Sequence, residues 1–225
     1  MLGQMMQMPL LISSLLEHAE RCHAATEIIS VNTSGGKTKT TWGNVGTRAR
    51  QLASQLEQMG IQAGECCATL AWNNHRHLEI YFAVASSQRI CHTINPRLFP
   101  AQLNYIINHA QDQVLFFDKT FLPLIVKLRA QLPSVKAYVL LDAPDAEVKA
   151  QLPDVLFYED LIAAGDSNYQ WPSFDENEAS SLCYTSGTTG DPKGVLYSHR
   201  STVLHSLVVS LPDSLNISAR DCVMP

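Results

Sequence analysis

Apolar residues along this chain recur at helical spacing in some segments and cluster in short strand-like stretches between them. Within residues 10–21, Leu11, Leu15, Leu16 and Ala19 form one helical stripe. Residues 27–31 and 37–40 read as two strands, with Ser34, Gly35 and Gly36 between them as a hairpin signal. A helix then opens at Thr41 or Gly43 and ends at Met59, with Val45, Ala49, Leu52, Ala53, Leu56 and Met59 at helical spacing and Gly60 as its cap. Strands at 66–71, 90–94, 114–117 and 137–141 follow, separated by helices at 76–85, 101–109 and 121–131. Strand and helix in regular alternation predict parallel βαβ units, hence an α/β fold of layered, parallel-rich sheets with flanking helices.

The texture changes at residues 142–177, where Pro144, Pro153, Pro172 and many acids predict a connector with one short helix at 158–163. Strand character returns at 180–185 and again at 195–198. A helix over 201–211 follows, with Leu204, Leu207, Val208 and Leu211 at i, i+3, i+4, i+7.

With 46% apolar residues the chain can build a sizeable core, and its net charge of −5 gives no electrostatic reason to expect nucleic acid as a partner. No apolar run approaches the roughly 20 residues that span a bilayer. The N-terminus lacks the positive region of a signal peptide, so a cytoplasmic location is expected. Cys22, Cys66, Cys67, Cys91, Cys183 and Cys222 form no C-x-x-C pair and read as small thiols in strands rather than metal ligands or disulfides. His75 and His77 have neither a cysteine partner nor an H-E-x-x-H context, and read as the polar start of a helix. His199 reads as a hydrogen-bonded structural histidine.

The candidate chemistry is concentrated in Tyr184-Thr185-Ser186-Gly187-Thr188-Thr189-Gly190-Asp191-Pro192-Lys193-Gly194. Hydroxyls from Tyr184 to Thr189 supply donors, Lys193 supplies a compact cation, and Gly187, Gly190 and Gly194 free the backbone to turn N–H groups toward an anion. The spacing excludes a Walker A loop, G-x-x-x-x-G-K-[ST]: the residue five after Gly187 is Pro192, Lys193 precedes Gly194, and Val195 follows. No G-x-G-x-x-G dinucleotide fingerprint occurs either.

This segment resembles the signature loop of the AMP-forming acyl-CoA synthetases of the adenylate-forming superfamily. The flanking residues 70–79 (Leu-Ala-Trp-Asn-Asn-His-Arg-His-Leu-Glu), 92–98 (His-Thr-Ile-Asn-Pro-Arg-Leu) and 194–201 (Gly-Val-Leu-Tyr-Ser-His-Arg-Ser) resemble the fatty-acyl-CoA and methylthiopropionate ligase branch. The resemblance runs from about residue 10 to residue 225 and implies the N-terminal part of an AMP-binding (adenylation) domain. It implies a ligase that joins a carboxylate to ATP, releases pyrophosphate, and passes the acyl group to coenzyme A with release of AMP. Medium- or long-chain fatty acids are the expected substrates, with methylthiopropionate as the alternative. Thr185, Ser186, Gly187, Thr188, Thr189, Gly190 and Lys193 are the implied ATP phosphate contacts, with Thr185 near the α-phosphate or a Mg²⁺ ion and Lys193 toward the β- and γ-phosphates.

Members of that superfamily are considerably longer. The adenine and ribose contacts, the small C-terminal domain and its catalytic lysine lie beyond these residues in such enzymes. The expectation is therefore a partial domain, 10–225, with no catalytic side chain of its own, inactive alone and possessing uncovered apolar faces; a non-catalytic phosphate-binding remnant is the alternative. One segment departs from the branch pattern: Ala85-Ser-Ser-Gln-Arg-Ile90 stands where relatives have a glycine-containing turn, and Arg89 is expected to cap the preceding helix.

Overall fold

The computed structural model describes residues 1, 3–33, 35–185 and 191–224. Helix α1 (Ile12–His23) leads into a hairpin of β1 (Glu27–Val31) and β2 (Lys37–Thr41), and then helix α2 (Trp42–Gln58). Thr41 caps α2 by accepting from the Asn44 amide. Gly60 closes it: at φ +75° it takes the left-handed turn, bonding its N–H to Glu57 while Ile61 N–H returns to Leu56.

The remaining elements build one seven-stranded sheet. In chain order they are β3 (Cys66–Leu70), α3 (His75–Ser86), β4 (Ile90–Thr93), α4 (Pro100–Ala110), β5 (Val114–Phe117), α5 (Leu122–Leu128) and β6 (Ala137–Leu140). Then come α6 (Ala146–Gln151), β7 (Leu156–Phe157), α7 (Tyr158–Ala164), β8 (Ala179–Thr185), β9 (Lys193–Ser198) and α8 (His199–Ser210). The strand order is β7-β6-β5-β3-β4-β8-β9, parallel throughout except for the antiparallel β8–β9 pair. The expected α/β architecture is therefore present. The predicted connector is more structured than its prolines suggested: besides α7 it holds α6, capped by Asp145 accepting from Glu147 and Val148 N–H, and the two-residue edge strand β7.

Alternate residues of each strand enter opposite cores. Leu115 and Phe117 pack with Leu103, Ile106, Ile107 and Ile125 of α4 and α5, while Val114 and Phe116 pack with Leu52, Leu56, Ile80 and Val84 of α2 and α3. The connections after β3 and β5 run in opposite directions along the sheet, toward β4 and toward β6, which places the topological switch at the carboxyl edge between β3 and β5. Strand β8 pairs with β4 on the side away from β3, so its C-terminus opens onto that same edge.

A polar network ties the helices of one face together. Glu79, fully buried on α3, accepts from Arg48 Nε of α2 at 2.9 Å and from the Tyr158 hydroxyl of α7 at 2.8 Å. Glu159 accepts from Arg48 Nη1 at 3.1 Å and Arg76 Nε at 2.7 Å, and Arg76 Nη1 reaches the Leu141 carbonyl at 3.0 Å.

The turn before β4 explains how the chain dispenses with a glycine there. Gln88 itself adopts φ +62°, its carbonyl accepting from Gly64 N–H and its side chain donating to Glu178. Arg89 does reach the end of α3, bonding the Ser87 carbonyl, but it is buried and its main partner is the Ile61 carbonyl, through both Nε and Nη2.

The predicted stripe on α8 does not face a core. Leu204, Leu207, Val208 and Leu211 are exposed, as are Val195, Leu196 and Tyr197 of the edge strand β9, whereas His199 and Val203 are the buried residues of the helix. An uncovered apolar face thus lies at the β9 end of the sheet. No helix among the described residues is long and apolar enough to cross a membrane.

Candidate functional site

Five of the seven predicted phosphate contacts, Ser186, Gly187, Thr188, Thr189 and Gly190, lie outside the described residues. The other two, Thr185 and Lys193, end β8 and begin β9 as direct register partners, both exposed. The Thr185 hydroxyl lies 3.4 Å from the Lys193 carbonyl. Thr185 and Lys193 thus stand on two antiparallel arms, with β8 running parallel to β4 so that Thr185 ends it at the carboxyl edge of the sheet, the edge at which open α/β sheets bind ligands.

Strand β9 starts two residues earlier than the apolar pattern indicated, and this changes two expectations. Gly194 is paired strand, opposite Tyr184, with no positive φ. Its missing side chain serves packing: a Cβ there would stand 3.1 Å from Leu182 Cδ1 and 3.2 Å from Tyr184 Cζ. The Tyr184 hydroxyl, expected among the phosphate donors, shares a 2.6 Å hydrogen bond with His109 Nδ1 on α4.

Beneath Tyr184 lies a pair that the sequence did not reveal. His92 of β4 and Asp112, just after α4, are both fully buried, with Nδ1 and Oδ2 2.7 Å apart. The His92 ring packs on Tyr184 at 5.1 Å between centroids. Burial pushes the Asp112 carboxyl up, and its bond to His92 holds it down. The separation of the pair by twenty residues and a helix left no spacing signal; the only hint was a histidine inside an apolar strand.

His75, His77 and His199 are structural. His77 sits in the first turn of α3 with Nε2 3.0 Å from the Thr69 hydroxyl, and His75 N–H donates to the Ser30 hydroxyl of β1. His199 Nδ1 accepts from the Ile12 N–H and its ring meets Phe174 edge-on. Burial lowers all three from their ordinary 6.5 to about 4, with Arg76 and Arg48 adding to the effect at His75. They are neutral in the folded chain at pH 7. As pH falls from 6.5 toward 4, the unfolded chain takes up protons that the folded chain refuses. Stability is therefore expected to be flat above that window and to fall within it by on the order of 1–3 kcal/mol per histidine. Urea midpoints against pH check this: His77→Gln should flatten the profile, and an unaltered slope would contradict the assignment.

Cys66, Cys67 and Cys91 are buried in β3 and β4 as expected, and burial pushes the Cys66 thiol up to about 12. Cys22 and Cys222 are exposed and lie outside strands. For a metal, Thr185 offers one hard oxygen, and no group of three histidine, cysteine or carboxylate side chains is poised to hold one among the described residues. That donor set fits a Mg²⁺ ion held chiefly by phosphate oxygens and water, with Thr185 as a protein contact.

Comparison with known proteins agrees with the geometry. The profile of a family described as AMP-binding enzyme matches residues 15–224. The chain is 59% identical over its whole length to the medium-chain-fatty-acid–CoA ligase of Ectopseudomonas oleovorans, covering 41% of that protein. It is also 59% identical over its whole length to the 3-methylmercaptopropionyl-CoA ligase of Ruegeria lacuscaerulensis, covering 42% of it. Its fold overlays 44% of the long-chain-fatty-acid-CoA ligase crystal structure from Archaeoglobus fulgidus with a TM-score of 0.79 over 98% of this chain, at 16% identity. The chain spans about two fifths of the length of the curated relatives it matches.

Proposed function

Since the chain belongs to the AMP-binding enzyme family, we propose that the protein carrying it is an ATP-dependent acid–thiol ligase for a fatty carboxylic acid. A substrate carboxylate oxygen attacks the α-phosphorus of ATP, the bond to the β-phosphate oxygen breaks, and pyrophosphate leaves. The thiol sulfur of coenzyme A then attacks the acyl carbon, loses its proton, and displaces AMP. The observation that carries this reading is the placement of Thr185 and Lys193 opposite one another on the arms β8 and β9 at the sheet's carboxyl edge.

In this reading Thr185, Ser186, Gly187, Thr188, Thr189, Gly190 and Lys193 hold the phosphates. Their N–H groups, hydroxyls and ammonium stabilise charge that grows on the α-phosphate and the departing pyrophosphate, without forming any covalent bond to substrate. Mg²⁺, when bound, neutralises charge on the phosphate oxygens, with Thr185 at hand.

Equal identity to a medium-chain fatty acid ligase and a 3-methylmercaptopropionyl-CoA ligase makes methylthiopropionate the second substrate candidate. The test is coenzyme A-dependent AMP release by a full-length protein bearing this sequence, against hexanoate, octanoate, palmitate and methylthiopropionate. Turnover of octanoate above the thioether acid supports the first choice, and the reverse order replaces it. Absence of carboxylate-dependent AMP release with every acid overturns the ligase reading in favour of a non-catalytic phosphate-binding protein.

A further inference from the structure

Strand β9, which carries Lys193, ends the sheet among the described residues, and its only strand partner is β8. Its apolar residues Val195, Leu196 and Tyr197 are exposed, so little besides β8 fixes it. One side chain crosses the pair. Tyr184 lays its ring on Gly194, packs against His92, and bonds His109 on α4 at 2.6 Å. His109 is itself stacked on Tyr105 at 5.4 Å, and His92 is fixed by buried Asp112. An aromatic residue opposite a glycine on an edge strand is a device for pinning register. Here the pin is anchored to a helix and to the sheet interior at once.

We propose that Tyr184 is a positioning residue for nucleotide binding, clamped among Gly194, His92 and His109 so that the adjacent pair Thr185 and Lys193 meets the phosphates at a fixed separation. This rests on the phosphate-site reading above. It assigns the last glycine of the segment to seating an aromatic ring, and the tyrosine hydroxyl to a helix rather than to the ligand.

The test measures ATP affinity by calorimetry without carboxylate, together with carboxylate-dependent ATP–pyrophosphate exchange, in the full-length protein. Tyr184→Phe is expected to weaken ATP binding about 3- to 10-fold, the scale of one lost hydrogen bond, while KM for the carboxylate and the melting temperature hold. His109→Leu should do the same, and the double variant should be no worse than either single one, because both remove one bond. His109→Gln, which can restore a hydrogen bond, should recover part of the loss. Gly194→Ala should weaken ATP binding by displacing the ring. Unchanged ATP affinity in Tyr184→Phe overturns the positioning role and leaves the ligase reading intact, as does an equal rise in both KM values with a lower melting temperature. A parent protein that binds ATP but catalyses no exchange overturns the ligase reading, and the ATP affinities still decide the role of Tyr184. A parent that binds no ATP overturns both.

Discussion

Replacing Lys193 with alanine in a full-length protein bearing this sequence is expected to lower acyl-adenylate formation about 10²- to 10³-fold, the cost of removing one preorganised group from charge that develops in a transition state. The expectation follows from position as well as charge. Lys193 opens β9 directly opposite Thr185, with its side chain exposed, so its ammonium is free to turn toward a polyphosphate. Its backbone keeps the strand pairing whatever the side chain, so the melting temperature should not move. Lys193→Arg should recover only part of the rate, because a planar fork does not occupy the place of a compact ammonium. Carboxylate-dependent pyrophosphate release is the measurement. A rate unchanged in Lys193→Ala would remove this residue from the site, and a rate lost together with the melting temperature would make it structural instead.

Most elements were legible because their apolar residues repeat at 3.6, as in α2, or run together in a short buried stretch, as in β5. What the pattern could not give is order. Nothing in the spacing of β3, β4 and β5 says that β3 lies between the two strands that follow it, or that β8 pairs with β4 and brings Thr185 to the carboxyl edge. Helix α6 was hidden because it buries only Val148 and is flanked by Pro144 and Pro153. The α8 stripe misled for the opposite reason: the periodicity of Leu204, Leu207, Val208 and Leu211 is real, but no described element packs on it. At the site, Thr185 and Lys193 were visible as chemistry, whereas the contact of the Tyr184 hydroxyl with His109 of α4 was not. The symmetric placing of Tyr184 and Gly194 about the segment was the available signal, since an aromatic residue facing a glycine across a hairpin is a packing pattern. The His92–Asp112 pair left no such mark, because a tertiary contact between strand and loop has no period.

Glu79→Ala is the substitution expected to cost most stability, about 3–5 kcal/mol, the range for breaking a buried ion pair by removing one partner. Burial raises the Glu79 carboxyl, with the nearby Glu159 adding to the effect, and Arg48 and Tyr158 offset part of it. Removing it strands the other two groups unequally. Arg48 retains Glu159, which it shares with Arg76, whereas the fully buried Tyr158 hydroxyl loses its acceptor among the described residues. Glu79→Gln keeps an acceptor for Tyr158 and should cost less, about 1–3 kcal/mol. Pairing Glu79→Leu with Arg48→Met should recover much of the loss, because an apolar pair of similar volume avoids burying charge at all. Urea unfolding followed by the fluorescence of Trp42, Trp72 and Trp171 would rank the variants. If Glu79→Ala costs less than about 1 kcal/mol, the value of an exposed pair, water must reach the network and the three helices are held by their apolar contacts instead. If the double variant is no better than Glu79→Ala, the charges do more than neutralise one another: they fix how α2, α3 and α7 meet, and with them the Leu141 carbonyl at the end of β6 that Arg76 binds.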